Sequence, residues 1–185
     1  MDLVEKVRIY VEDACRQETN IFGMSAYNNH FVSMVNYAIQ LAEETGADRE
    51  IVGIAAWLHD IGSIIGEYEQ HHIIGAEHAR TLLTQYLYPN TKIEQVEHCI
   101  LAHRGSKSIP RQTLEAECIS DADAMSHFDN VGALFNLAYN VRKMDVEEAV
   151  PFVRKKLERS WNKLTPRAKQ IIEPKYQAVK LLFDE

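Results

Sequence analysis

Apolar positions recur every three or four residues along almost the whole chain, the period of helices with one buried face. From Leu3 onward Val4, Val7, Val11 and Ala14 follow that period. A second helix is predicted from about Tyr27 to Thr45, with Phe31, Met34, Val35, Ala38, Ile39 and Ala42 on its apolar face. Gly46 is suited to end it as a C-terminal cap. Asp48 is expected to cap the next helix, whose stretch Ile51-Val52-Gly53-Ile54-Ala55-Ala56-Trp57-Leu58 is apolar nearly all round. Such a helix belongs in the middle of a protein, and this one runs out at His59-Asp60-Ile61-Gly62.

The same reading gives helices over Ile73 to Leu87, Thr91 to Ala102, Thr113 to Phe128 and Gly132 to Met144. Two more follow, one capped by Asp145 and beginning at Val146, the other from about Pro166 to Phe183. The stretch Arg104 to Arg111, with Gly105, Ser106, Ser108 and Pro110, reads as a loop. No internal repeat or low-complexity linker divides the chain. The expected fold class is therefore all-α, one helical bundle over residues 1–185. Its core lies at about 27–125, with additional C-terminal helices covering it at about 130–185.

Composition sharpens this picture in a few places. With 185 residues, 46% hydrophobic and 25% charged, the chain can bury a core and is not disordered. A formal charge of −7 argues against broad binding to a nucleic acid polymer or an acidic membrane surface, while leaving room for a locally basic pocket. Cys15, Cys99 and Cys118 are odd in number and scattered, so no disulfide framework or zinc knuckle is expected. The first residues do not look like a secretory signal, and charge interrupts every apolar stretch before it could span a membrane. A cytoplasmic protein is expected.

Candidate chemistry gathers around the eight histidines. At the end of a buried helix His59 and Asp60 are two polar neighbours directly after eight apolar residues, and an unpartnered carboxylate there is costly. A divalent cation removes that cost, since imidazole and carboxylate suit Mn, Fe, Co, Ni and Zn. Taken alone, the pair is more often an exposed helix end with a histidine near the negative dipole. Its company decides otherwise. His30 sits on an apolar helix upstream, and Asp121-Ala122-Asp123 falls in a later helix whose neighbours Ile119, Ala122 and Met125 are apolar. A buried acid there needs a partner as well.

The series His30…His59-Asp60…Asp123 resembles the metal signature of the HD-domain superfamily, all-helical metal-dependent phosphohydrolases. The flanking Ala56-Trp57-Leu58-His59-Asp60-Ile61-Gly62 is close to that family's motif. The resemblance runs from about Tyr27 to Met125 and implies a metal held by His30, His59, Asp60 and Asp123, with Asp121 a lesser claimant. His72-Ile73-Ile74-Gly75-Ala76 and Ile100-Leu101-Ala102-His103-Arg104-Gly105 resemble two later histidine elements. By that resemblance His72 and His103 are ligands of a second ion bridged by Asp60, or proton carriers; His71 takes the place of His72 if the register slips by one. His78 and His98 are expected to be structural, and His127 either an outer partner or a solvated helix end. The sequence departs from the family where Ala124 replaces the basic residue often found after the ligand Asp, and it lacks a Gly-Tyr-Pro element after His103. These departures weigh against a nucleoside triphosphate and a cyclic dinucleotide.

The expected activity is metal-assisted hydrolysis of a phosphate ester or phosphoanhydride, a nucleotide among the candidates, using one or two divalent ions (Mn, Fe, Co, Ni or Zn, with Mg a further candidate). Catalytic roles fall to Asp60, His72 and His103; Arg104 and Lys107 would hold a small anionic, phosphorylated substrate. A di-iron oxygenase of the same fold is the main alternative, and a metal-stabilised ligand-binding module the second. Association into a homo-oligomer is left open.

Overall fold

The computed structural model describes residues 1–66, 68–104 and 109–183. Lys107 of the basic loop therefore lies outside the described residues. Helices α1 (Leu3–Cys15), α2 (Met24–Ala26), α3 (Val32–Thr45), α4 (Arg49–Leu58) and α5 (Ile61–Ile64) are followed by α6 (His71–Gln85) and α7 (Asn90–Ala102). The chain continues through α8 (Leu114–Asp129), α9 (Val131–Asn136), α10 (Val146–Lys163) and α11 (Pro166–Phe183), with no strand among the described residues.

Two helices form the axis of the bundle. In α4 every residue from Ile51 to Leu58 is buried, packed by α1, α3, α7 and α8. Helix α8 packs against α3, α4, α7, α10 and α11, and buries most of its length. The expected punctuation is present. Asp48 accepts from the backbone N–H groups of Glu50 and Ile51, and Gly46 ends α3 in the left-handed region at φ 79°. Asp145 forms a reciprocal capping box with Glu148 at the start of α10.

Two departures bear on function. Instead of one uninterrupted helix from Tyr27 to Thr45, a π-turn over Tyr27–Phe31 precedes α3, and the Val32 N–H reaches back to the Tyr27 carbonyl. The extra residue per turn re-aims His30; such bulges are frequent at functional sites. The expected helix over Gly132 to Met144 is split likewise into α9 and a π-turn over Leu137–Val141. The helix expected from Ile73 starts two residues earlier, at His71.

Candidate metal centre

The site lies where the end of α4, the start of α6, the end of α7 and the middle of α8 meet. Asp60 is its hub. One of its oxygens, Oδ2, lies 3.5 Å from His30 Nε2 and 3.6 Å from His59 Nε2; the other, Oδ1, lies 3.3 Å from His71 Nε2 and 3.5 Å from His103 Nε2. Asp123 Oδ1 closes the first group at 3.8 Å from His30 Nε2 and 3.7 Å from His127 Nε2. Three overlapping donor groups result: His30, His59 and Asp60; His30, Asp123 and His127; and Asp60, His71 and His103.

Proton bookkeeping shows what these groups lack. His59, His71 and His103 each donate Nδ1–H to the carbonyl three residues back, at Ala56 (2.8 Å), Tyr68 (2.7 Å) and Ile100 (2.6 Å). Each ring therefore turns its Nε2 toward the cluster, the atom with which an imidazole binds a cation. The single hydroxyl proton of Ser126 goes to the Asp123 carbonyl at 2.8 Å, so Oγ accepts from His30 Nδ1 at 3.0 Å, and His30 too turns its Nε2 inward. His30 Nε2 and His59 Nε2 stand 3.0 Å apart, and His71 Nε2 and His103 Nε2 face each other at 3.3 Å. Converging lone pairs and carboxylates repel one another unless a cation lies among them. Imidazole nitrogen and carboxylate oxygen are the donors that transition metals take, with the second ring nitrogen anchored as here.

The electrostatics agree. Burial pushes the His59 imidazole down to about 4, so the ring is neutral near pH 7. Burial opposes ionisation of Asp60, and the imidazoles around it, His59 first, outweigh that cost when they carry a proton and hold the carboxyl well below its ordinary range. Asp123 is likewise buried; the Lys163 ammonium, 2.7 Å from Oδ2, outweighs that cost and keeps it ionised.

The sequence expectation can be placed residue by residue. His30, His59, Asp60, His103 and Asp123 come together. His72 does not: it is the next residue along α6 and so points about 100° away from His71. Its Nδ1 lies 3.3 Å from an Arg104 guanidinium nitrogen, while His71 faces Asp60 and His103. The two candidates for the second group therefore exchange places. Asp121 is also apart from the cluster. Buried in the opposite direction on α8, it accepts from the backbone N–H (3.2 Å) and hydroxyl (2.5 Å) of Thr165 and so secures the start of α11. Burial raises its carboxyl pKa. His78 meets the Tyr10 hydroxyl and His98 accepts from the Gln112 N–H, both outside the site.

Gly62 explains how α6 comes so near. A Cβ there would stand 2.3 Å from the His71 carbonyl oxygen, so only glycine lets the start of α6 lie against α5 beside Asp60.

The cluster forms the floor of a cleft of about 470 Å³. Its walls carry Arg104, Arg142, Lys155, Lys156, Arg159 and Lys163, a concentration of positive charge in a chain whose formal charge is −7. A second chamber of about 130 Å³ opens on the other side of His30, Asp60 and His127, lined by Phe22, Ile64, Leu134, Asn29, Asn130 and Asn136 among others. Of the cleft's basic residues, Arg104 alone was singled out in the sequence. The missed signal was the spacing of Lys155, Arg159 and Lys163, one face of α10 at every fourth residue. His127, four residues after Asp123 and read from the sequence as an outer partner or a solvated helix end, lies 3.7 Å from Asp123 Oδ1.

Helices that bring histidine and carboxylate donors together at one point define a class of helical proteins with donor groups that could hold a metal. Residues 27–127 match the HD domain family model, and the chain belongs to that family, whose domain is that of metal-dependent phosphohydrolases that bind divalent metals. An uncharacterized protein of Clostridium beijerinckii is 37% identical over 84 residues, 43% of this chain and 53% of that protein. Ribonuclease Y of Cutibacterium acnes is 34% identical over 125 residues, 66% of this chain and 21% of its own length. The tRNA (cytidine(56)-2'-O)-methyltransferase of Thermoplasma volcanium is 26% identical over 162 residues, 82% and 47% of the two chains. The chain thus spans about half the length of these relatives or less. The crystal structure of Bacillus subtilis YpgQ in complex with ADP has the same fold, with a TM-score of 0.70 at 18% identity, covering 97% of this chain and 95% of that one. No helix among the described residues is long and apolar enough to cross a membrane.

Proposed function

We propose that this protein hydrolyses a small phosphorylated substrate with the help of one or two divalent metal ions. His30, His59, Asp60 and Asp123 would hold one ion, with His127 beside them; Asp60, His71 and His103 would hold the other. A divalent cation supplies Lewis-acid activation of water and of a phosphoryl oxygen. The observation that carries the reading is the pairing of that donor cluster with a basic cleft in an acidic chain. In a fold of this family, the pairing suits an anionic ester better than any neutral substrate.

The chain's own residues have separable roles. Arg104 and Lys163, at the edge of the cluster, bind phosphoryl oxygens; Lys163 also keeps Asp123 ionised, and its ammonium bonds the His103 carbonyl at 3.2 Å. The apolar and asparagine-lined chamber takes the organic part of the substrate, and its size suits a ring rather than a polymer. In hydrolysis a water oxygen forms the new bond to phosphorus, the bond to the leaving oxygen breaks, and that oxygen takes up a proton. Lys156 lines both chambers, and burial lowers its ammonium pKa, which makes it the group we assign to that proton transfer. Six basic residues gathered around one cleft support a single small ligand over an RNA track. The ribonuclease names among the relatives and the ADP bound to YpgQ make nucleotides the first substrates to screen.

The test is metal analysis of protein purified without chelator or polyhistidine tag, followed by phosphate release from small phosphoesters and nucleotides with the metal found. His59→Ala and Asp60→Ala should lose both metal and turnover. Full turnover in metal-free Asp60→Ala protein refutes the reading, and bound iron with oxygen uptake but no phosphate release moves the site to the oxygenase alternative.

A further inference from the structure

The basic residues of the cleft fall into two groups. Lys163 is engaged with Asp123, and Arg104 lies at Glu69 and His72. Arg142, Lys155, Lys156 and Arg159, in contrast, form no ion pair among the described residues, although all line the same cleft. Elsewhere the chain matches many of its cations to acids: Arg80 to Glu97, Lys92 to Asp48 and Glu50, Arg167 to Glu44, Lys175 to Asp129. Leaving like charges side by side on α10 and the turn before it raises their mutual repulsion, a cost that an arriving anion removes.

Arg142 rests against two aromatic rings and forms no ion pair among the described residues. Its Cζ lies 5.5 Å from the centre of the Tyr68 ring and 5.0 Å from that of Phe152. Cation–π contacts use the faces of the guanidinium and leave the in-plane N–H fork for a carboxylate or phosphate. Asp60 and Asp123 do not explain these cations, because Asp123 already has Lys163 and both carboxylates belong to the donor cluster. Resting on the metal-hydrolase reading above, the balance at the cleft is an excess of positive charge beyond what one phosphoryl group at the cluster offsets.

We infer that Arg142, Lys155 and Arg159 form a second anion subsite, and that the physiological substrate carries two anionic groups, one at the His/Asp cluster and one here. The spacing follows from α10. Lys163 marks the cluster end, and Arg159 and Lys155 lie four and eight residues back, about 6 and 12 Å along the helix at 1.5 Å per residue. The substrate class is therefore a bisphosphorylated or phosphate-plus-carboxylate molecule whose charged ends can stand roughly that far apart.

Isothermal titration with non-hydrolysable probes tests this without relying on turnover. Hexane-α,ω-bisphosphonate is compared with hexylphosphonate on the metal-loaded protein, and on the protein as purified if it takes up no metal. The bisphosphonate should bind about ten-fold tighter or more, since each well-formed ionic hydrogen bond is worth about that factor. The double variant Lys155→Gln/Arg159→Gln should erase the preference while keeping metal content, melting temperature and hexylphosphonate affinity. Arg142→Gln should reduce it by itself. Equal affinity of the two probes for the native protein, or a preference unchanged in the double variant, overturns the second subsite. Absence of metal with the preference intact instead refutes the hydrolase reading and leaves the subsite standing.

Discussion

Gly62→Ala is a one-carbon change whose consequences follow from three distances. The added Cβ would stand 2.3 Å from the His71 carbonyl oxygen, 2.8 Å from its Cα and 2.9 Å from its carbonyl carbon, against an ordinary contact of 3.4–4 Å. All three atoms are backbone, so no flexible side chain can swing aside. The start of α6 has to retreat from α5 by about 1 Å to restore contact distance. His71 goes with it, and its Nε2 now lies 3.3 Å from Asp60 Oδ1 and 3.3 Å from His103 Nε2. Overpacking of this kind costs about 1–3 kcal/mol. At roughly 2–4 °C per kcal/mol for a chain of this size, the melting temperature should fall by about 2–12 °C. A displacement of about 1 Å in a ligand-bearing segment should lower turnover about 100-fold, with loss of metal from the Asp60, His71 and His103 group. Gly75→Ala is the control, because its nearest neighbours, Gly62 N and Ile100 Cγ2, lie at 3.5 Å and would accept the methyl group. It should match the parent or exceed its stability slightly. The assays are thermal melting, metal per chain and phosphate release. A Gly62→Ala protein with the parent's melting temperature, metal content and rate refutes the claim that this close approach positions His71.

The remaining expectations concern one choice of residue and one pH dependence. His71→Ala should weaken metal binding about 100-fold or more in chelator competition, whereas His72→Ala should leave it near the parent value; the opposite order would return the second group to His72. For Asp129, burial opposes ionisation, but Lys175, Ser33 at 2.5 Å and Tyr37 at 2.8 Å outweigh it and hold the carboxyl below its unfolded value of 3.8. Its stabilisation is thus fully present above that value and is lost as the pH falls through the lower native one. Asp129→Asn should cost about 1 kcal/mol at pH 7 by thermal melting, and the gap to the parent should close in strong acid; a gap independent of pH would show that the charge is not what ties α11 to α3.

Much of this molecule is local and could be read locally. Helical periodicity marked the long helices, and the all-round apolar run Ile51–Leu58 identified the central one because only a helix surrounded by others can hide every face. Asp48, Gly46 and Asp145 marked helix ends through chemistry confined to a few residues. His59 and Asp60 stood out as polar neighbours at the end of a buried helix, where adjacency alone puts both at one place. Other features depended on how helices meet. His71 and His72 differ by about 100° around α6, and Asp121 and Asp123 by about 200° around α8, so the choice within each pair is made by the helices packed against them. The π-turn at His30 is a one-residue change of register that leaves the apolar pattern intact. Lys155, Arg159 and Lys163 look like an ordinary solvated face of α10 until that face is seen to line one cleft with Asp60 and Asp123. Periodicity records which side of a helix is buried; what it is buried against is set by crossing angles and contacts between residues far apart in the chain, and these exist only in the folded molecule.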